Sequence, residues 1–228
     1  FLKDKVPLSM ISKQTLSFLR ALAVNNNREW FVANHHKYES AKEDFNNCLK
    51  QTLSELTKYD ASLKGLEPKD CVFRIYRDIR FSPDKTPYKT NLGAAINEGG
   101  KKKETAGAYL HIQPGNKSFF AGGRWMPDKE TLRKIRQEID YNTDEFKTIL
   151  NNKNFKKYFG TLEDIALKKA PKDYPKDHPE IALLKYTSYI ASMPLADSLI
   201  TSDKGVKEIG KVYKALMPLL HFLNRALD

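Results

Sequence analysis

The chain has 228 residues, a formal charge of +11, 40% hydrophobic and 11% aromatic content, which excludes a disordered polyelectrolyte and allows one large domain or two small ones. Two cysteines, Cys48 and Cys71, exclude a disulfide framework, and no apolar run is long enough to cross a bilayer. That cysteine usage predicts a reducing, cytoplasmic setting, and the lack of a spanning run predicts no membrane partner.

The N-terminal third reads as helical. "SKQTLSFLRAL" places Leu16, Leu19 and Leu22 on one face, with Ser12 as N-cap. "VNNNREWF" breaks that pattern, and Asn27 is expected to cap a second, longer helix. Its stripe runs Trp30, Phe31, Tyr38, Ala41, Phe45, Cys48, Leu49, Leu53 and Leu56. Cys48 falls on the stripe and reads as core rather than reactive.

The period then changes. In "CVFRIYRDIRF", Phe73, Ile75, Ile79 and Phe81 alternate with Arg74, Tyr76, Asp78 and Arg80, which predicts a strand. Further strands are expected over 91–97, 107–113 and 117–123, with turns at Gly99-Gly100 and Pro114-Gly115. Helices return after Pro127: one capped by Asp128 with Leu132, Ile135 and Ile139 buried, and one capped by Thr143. "KKAPKDYPKDHPE" reads as an exposed connection and "YTSYIASMPL" as a short strand. An amphipathic helix closes the chain, with Pro218 expected to kink or divide it. Helices, strands, then helices predict a single α+β domain over 1–228, a central antiparallel meander packed by N-terminal and C-terminal helices.

The charge is unevenly spread. Residues 71–127 hold 10 Lys/Arg against 4 Asp/Glu, over half the excess in a quarter of the chain. Its focus is "RIYRDIRFSPDKTPYK", with Arg74, Arg77, Arg80, Lys85 and Lys89 against Asp78 and Asp84. A regular strand would put Arg77 on the apolar face, so either the strand bulges or Arg77 reaches a carboxylate or a ligand. Pro83 and Pro87 stiffen the loop, and Asp84 can accept from the Thr86 N–H. Arginine forks match carboxylate and phosphate oxygens, and Tyr76 and Tyr88 can stack on a base or a sugar. The competing reading is a structural ion-pair network within the loop.

This motif, with "GAYLHIQPG" and "FFAGGRWMP" after it, resembles the signature of a widespread family of microbial proteins classed as a domain of unknown function. Its fixed positions correspond to Arg74, Arg77, Asp78, Arg80, Phe81, Ser82, Asp84, Lys85, Pro87, Tyr88 and Lys89. "NNREWF", Asn26 to Phe31, and "PLLHFLNRAL" also resemble the family. The resemblance implies a compact α+β fold and brings no established activity.

Other candidates are sparser. Tyr109 and His111 share one face of their strand; His111 or Asp78 is a candidate acid or base beside a bound anion, against the competing reading of His111 as a half-exposed histidine without a function. Arg124 and Trp125 follow Gly122-Gly123 and either extend the site by charge and stacking or, for Trp125, anchor the sheet edge. His35 and Glu39 are one turn apart without a third ligand, so no metal is assigned. No GxSxG, HExxH, phosphate-loop or dinucleotide pattern occurs, and no cofactor is assigned. Three functions stay open: a pocket for a phosphorylated or carboxylated small molecule, with or without catalysis; a nucleic-acid binder; and a non-catalytic interaction module.

Overall fold

The computed structural model describes residues 9–227. Helix α1 (Lys13–Val24) begins at Ser12, whose hydroxyl accepts from the Thr15 N–H at 3.2 Å. Leu16, Leu19 and Leu22 are buried, as the spacing predicts. Asn27 caps as expected, accepting from the Trp30 N–H at 2.9 Å, but the helix it starts is short: α2 (Arg28–Ala33) stops at Asn34. Asn34 turns its side-chain amide back onto the Trp30 carbonyl, 2.9 Å away, competing with the helical ladder at that turn. The expected long helix is therefore two, and α3 (His35–Leu56) carries the stripe from Ala41 onward. Asp44 on α3 accepts from the Ser12 N–H (2.9 Å) and the Thr15 hydroxyl (2.6 Å), so it ties the start of α1 to α3. A short helix, α4 (Pro68–Cys71), precedes the basic segment.

The sheet is a four-stranded antiparallel meander of β1 (Leu92–Ile96), β2 (Gly107–Ile112), β3 (Ser118–Arg124) and β4 (Tyr189–Leu195), in that order. With the helices this makes an α+β fold. The first three strands and the strand within "YTSYIASMPL" match their sequence signals. Gly99 and Gly100 adopt φ of 80° and 69° in the turn after β1, a region that only glycine enters without strain. Along β2, Ala108, Leu110 and Ile112 are buried while Tyr109 and His111 are half-buried, which is the alternation of a sheet with one core face. The expected strand over 71–81 is absent; that stretch makes only isolated bridges, at Val72 and Tyr76.

The chain divides into two compact units. The first comprises the described residues up to Lys103, with Tyr109–Phe120 and Pro194–Lys211; the second comprises Glu104–Ala108, Ala121–Met193 and the residues from Val212 on. In the first, α1, α2 and α4 each pack on α3, and α3 lies against β1. The second contains α5 (Lys129–Tyr141), α6 (Thr143–Asn151), α7 (Lys153–Phe159) and α8 (Ile181–Leu184). Asp128 caps α5 at the Thr131 N–H (2.8 Å), as expected. Thr143 does not cap α6; Asn142 holds that position, and the Thr143 hydroxyl donates back to the Ile139 carbonyl at 2.7 Å. In β3 a Cβ at Gly123 would overlap the Tyr189 carbonyl of β4, and one at Gly122 would overlap Leu216, so both glycines serve close approach. After α9 (Asp197–Ile200), the closing helix α10 (Gly205–Arg225) runs undivided through Pro218. Its neighbours Leu219, Leu220, Phe222 and Leu223 are all buried, and that packing offsets the lost backbone hydrogen bond.

Candidate functional site

Residues 72–89 form a loose ribbon instead of a strand. Val72 bridges Ala94 and Tyr76 bridges Tyr88, each as an isolated antiparallel pair. Between them the backbone is held by Phe73 N–H to the Gly93 carbonyl (2.9 Å), Arg77 N–H to Pro87 (2.9 Å) and Lys89 N–H to Ile75 (2.8 Å). Two prolines, Pro83 and Pro87, donate nothing to a ladder. Side chains of Asp78 and Asp84 take backbone N–H groups two residues on, at Arg80 (3.3 Å) and Thr86 (2.9 Å), so local turns replace the ladder. The alternation in sequence is consequently not an alternation in burial. Ile75 is buried, but Phe73 is 38% exposed and Phe81 93% exposed.

Arg77 reaches a carboxylate, one of the two outcomes its position demanded. Its Nη1 donates to Asp84, to the Thr86 hydroxyl and to the Thr86 carbonyl (3.2 Å), and its Nη2 to the Ser82 hydroxyl (3.4 Å). Arg80 forks onto Asp78 through Nε (2.9 Å) and Nη2 (2.7 Å), and Lys85 donates to the Ile79 carbonyl (3.0 Å). The Thr86 N–H, Arg77 and the Thr86 hydroxyl together depress the Asp84 carboxyl to about 2. Arg80 likewise holds Asp78 below the usual carboxylate range. Three of the five cations thus staple the loop, and Asp78 is engaged in that staple rather than available as an acid or base.

The stapled loop is fastened to the helices through Tyr88. The Asn26 amide donates to the Tyr88 carbonyl (2.9 Å), and its oxygen accepts from the Tyr88 N–H (3.1 Å). Phe31 stacks on the Tyr88 ring at 3.9 Å and 13°. Tyr88 is buried, and burial raises its phenol pKa, with Tyr76 adding to the rise and Arg28 opposing it. Tyr88 is accordingly an anchor, whereas Tyr76 is half-exposed, with its ring 5.5 Å from that of Tyr88.

Arg74 and Lys89 differ from the other three. Among the described residues neither forms an ion pair. Arg74 is exposed; Lys89 is half-buried, with its Nζ 5.6 Å from the centroid of Phe73. Burial lowers the Lys89 pKa, and the positive charge of Arg74 lowers it further. Phe73 in turn meets Tyr109 at 6.2 Å, which leads to His111 and Phe119. His111 stacks on Phe119 at 4.5 Å and 12°. Its Nε2 lies 2.8 Å from Gln113 Oε1 and its Nδ1 3.4 Å from Asn91 Nδ2. That arrangement fits a neutral ring with the proton on Nε2, and burial lowers its pKa against the opposing pull of Gln113.

Arg124 and Trp125 belong to the second unit. There Arg124 donates to Glu104 at 3.0 Å and Trp125 is exposed. His35 Nε2 stands 3.7 Å from Glu39 Oε1, and no group of three metal-ligating side chains occurs among the described residues. No helix among them is long and apolar enough to cross a membrane. The sequence reading missed two contributors. Phe73 obeys the period-2 pattern and so reads as one apolar position of a strand, and Asn26 offers only the generic signal of an asparagine ahead of a helix.

Comparison with known proteins gives one positive result. A family model described as "Conserved hypothetical protein (DUF2461)" matches residues 14–222. No curated protein matches the chain, and no solved structure does.

Proposed function

The chain belongs to the DUF2461 family of conserved hypothetical proteins, and since membership brings no reaction with it, we propose from the side chains themselves that the protein binds a small molecule bearing a phosphate or carboxylate group, held by Arg74 and Lys89. One observation carries this reading. In a segment where Arg77, Arg80 and Lys85 all have local partners, neither Arg74 nor Lys89 forms an ion pair among the described residues; the Arg74 charge is felt by Asp78, which is already forked by Arg80, and by Lys89, whose pKa it depresses. An anion between them removes that repulsion and supplies acceptors for both. Sheltered charge-assisted bonds of this kind are worth about 1.5–3 kcal/mol each. The stapled loop holds Lys89 in place beforehand, which reduces the entropy lost on binding. Binding rather than turnover is proposed, because Asp78 is bonded to Arg80 and both nitrogens of His111 are engaged.

A second reading, binding of nucleic acid, is favoured by one feature. Phe81 is 93% exposed, with the Arg80 guanidinium 5.8 Å from its centroid, a pair that can stack on a base.

Thermal denaturation in phosphate, acetate and a mixed-sequence oligonucleotide separates the two. The anion reading expects saturable stabilisation by phosphate or acetate that disappears in Arg74→Ala and Lys89→Ala and survives in Arg80→Ala. Stabilisation by the oligonucleotide alone, falling steeply with salt, would replace it with the second reading.

A further inference from the structure

Resting on the anion reading above, we infer that the ligand carries a flat aromatic ring beside its acid group: an aryl or heteroaryl phosphate or carboxylate. The sheet face within the first unit is the reason. Leu110, Ile112 and Phe120 fill the buried side of β2 and β3. On the other side stand Tyr109, His111 and Phe119, all half-buried, where a partly solvated sheet face ordinarily carries short polar residues. Phe73 continues the row from the ribbon, so four rings follow one another: Phe73 to Tyr109 at 6.2 Å, Tyr109 to Phe119 at 5.9 Å, Phe119 to His111 at 4.5 Å.

The row is polar only at defined points. Lys89 stands over Phe73 at one end, with the charge of Arg74 beside it. Asn91 and Gln113 hold the His111 ring nearly parallel to that of Phe119, on which it stacks. The Tyr109 hydroxyl makes no hydrogen bond among the described residues and lies against Gly93, where any Cβ would overlap it. A half-buried aromatic row that ends at two cations without ion pairs matches a ligand with a π-face and an anionic end. A compact inorganic anion would use the cations and gain nothing from the partly exposed rings.

Calorimetric titration of inorganic phosphate against phenyl phosphate, and of acetate against benzoate, tests the inference on the full chain. The aryl member of each pair is expected to bind roughly 5-fold to 150-fold more tightly, the range for one stacked ring. In Phe73→Leu and Phe119→Leu, which keep apolar bulk but lose the π-face, that ratio should fall to about one. Equal affinity for phosphate and phenyl phosphate in the wild type overturns the aryl inference and leaves the anion reading intact. An aryl preference that persists undiminished in both variants overturns it too. If no anion of either pair binds, both readings fail together.

Discussion

The side-chain amide of Asn26 pairs with the backbone of Tyr88 through two hydrogen bonds of 2.9 and 3.1 Å, bridging 62 positions of sequence. It does for the ribbon what a neighbouring strand would do, and it does so where Phe31 covers the Tyr88 ring. Replacing Asn26 by Ala leaves a donor and an acceptor of a buried residue without partners, which costs about 1–3 kcal/mol. Urea denaturation of Asn26→Ala should show that loss. A stability equal to wild type would mean that the Phe31–Tyr88 stack alone fixes the ribbon.

Acid should loosen the loop before the rest of the molecule. Asp84 has a folded pKa of about 2, below its ordinary 3.8, so its contribution is complete above the ordinary value and is lost as pH falls through about 2. Amide exchange of residues 80–86 is expected to accelerate selectively across that window. In Arg77→Ala, which removes the bonds to Asp84, Thr86 and Ser82, the same amides should exchange fast already at neutral pH. Unchanged exchange in Arg77→Ala would show that the two prolines, not the guanidinium, keep the loop in shape.

Lys89 titrates in the opposite sense. Its folded pKa lies below the ordinary 10.5, so the cost of holding it charged is present at neutral pH and is relieved as pH rises past the folded value. Binding an anion restores the charged form. Binding at alkaline pH should therefore take up protons, visible as a dependence of the calorimetric heat on buffer ionisation enthalpy. Arg74→Ala should raise the Lys89 pKa, measured by NMR, because the second cause of its depression is gone. No change on removing Arg74 would mean that the two cations do not share a site.

How much of this was legible in the sequence depended on range. The caps Ser12, Asn27 and Asp128 were legible, because a cap is a contact over three residues. The strands of the meander were legible for the same reason: alternation and glycine turns are local. Residues 71–81 misled because Phe73, Ile75, Ile79 and Phe81 have the period of a strand, while the bonds that prevent one, Asp84 to Thr86 and Arg77 to Asp84, lie outside that window. The break at Asn34 hid behind an unbroken apolar stripe. The basic cluster announced a site or a network, and part of it is a network: its pairings, Arg77 with Asp84 and Arg80 with Asp78, are not those of nearest neighbours in sequence. Which cations remain free is decided by where the acids fall in space.

The cysteines should be silent. Burial pushes Cys48 up to about 12 and Cys71 up to about 11, and both side chains are inaccessible. Neither thiol is expected to react with a disulfide reagent in the native protein at neutral pH, and both should react in denaturant. Rapid native labelling of either would contradict the packing of α3 or α4.

The glycines of the sheet differ in kind. At Gly123 a Cβ meets backbone and φ is 129°, so Gly123→Ala should destabilise severely. At Gly93 a Cβ meets only the tip of the Tyr109 side chain, its hydroxyl and the adjoining ring carbons, and overpacking of that sort costs about 1–3 kcal/mol. Gly93→Ala is therefore expected to fold, with Tyr109 displaced and the aryl preference reduced; thermal denaturation and titration with phenyl phosphate check both.

The most direct measurement is calorimetric titration of phosphate into wild type, Arg74→Ala, Lys89→Ala and Arg80→Ala. Losing either free cation should weaken binding by roughly tenfold or more, the effect of one charge-assisted bond. Losing Arg80, already forked onto Asp78, should change it by less than about twofold. Binding that survives without Arg74 or Lys89, or that depends on Arg80 instead, would contradict the assignment of the free pair as the anion site.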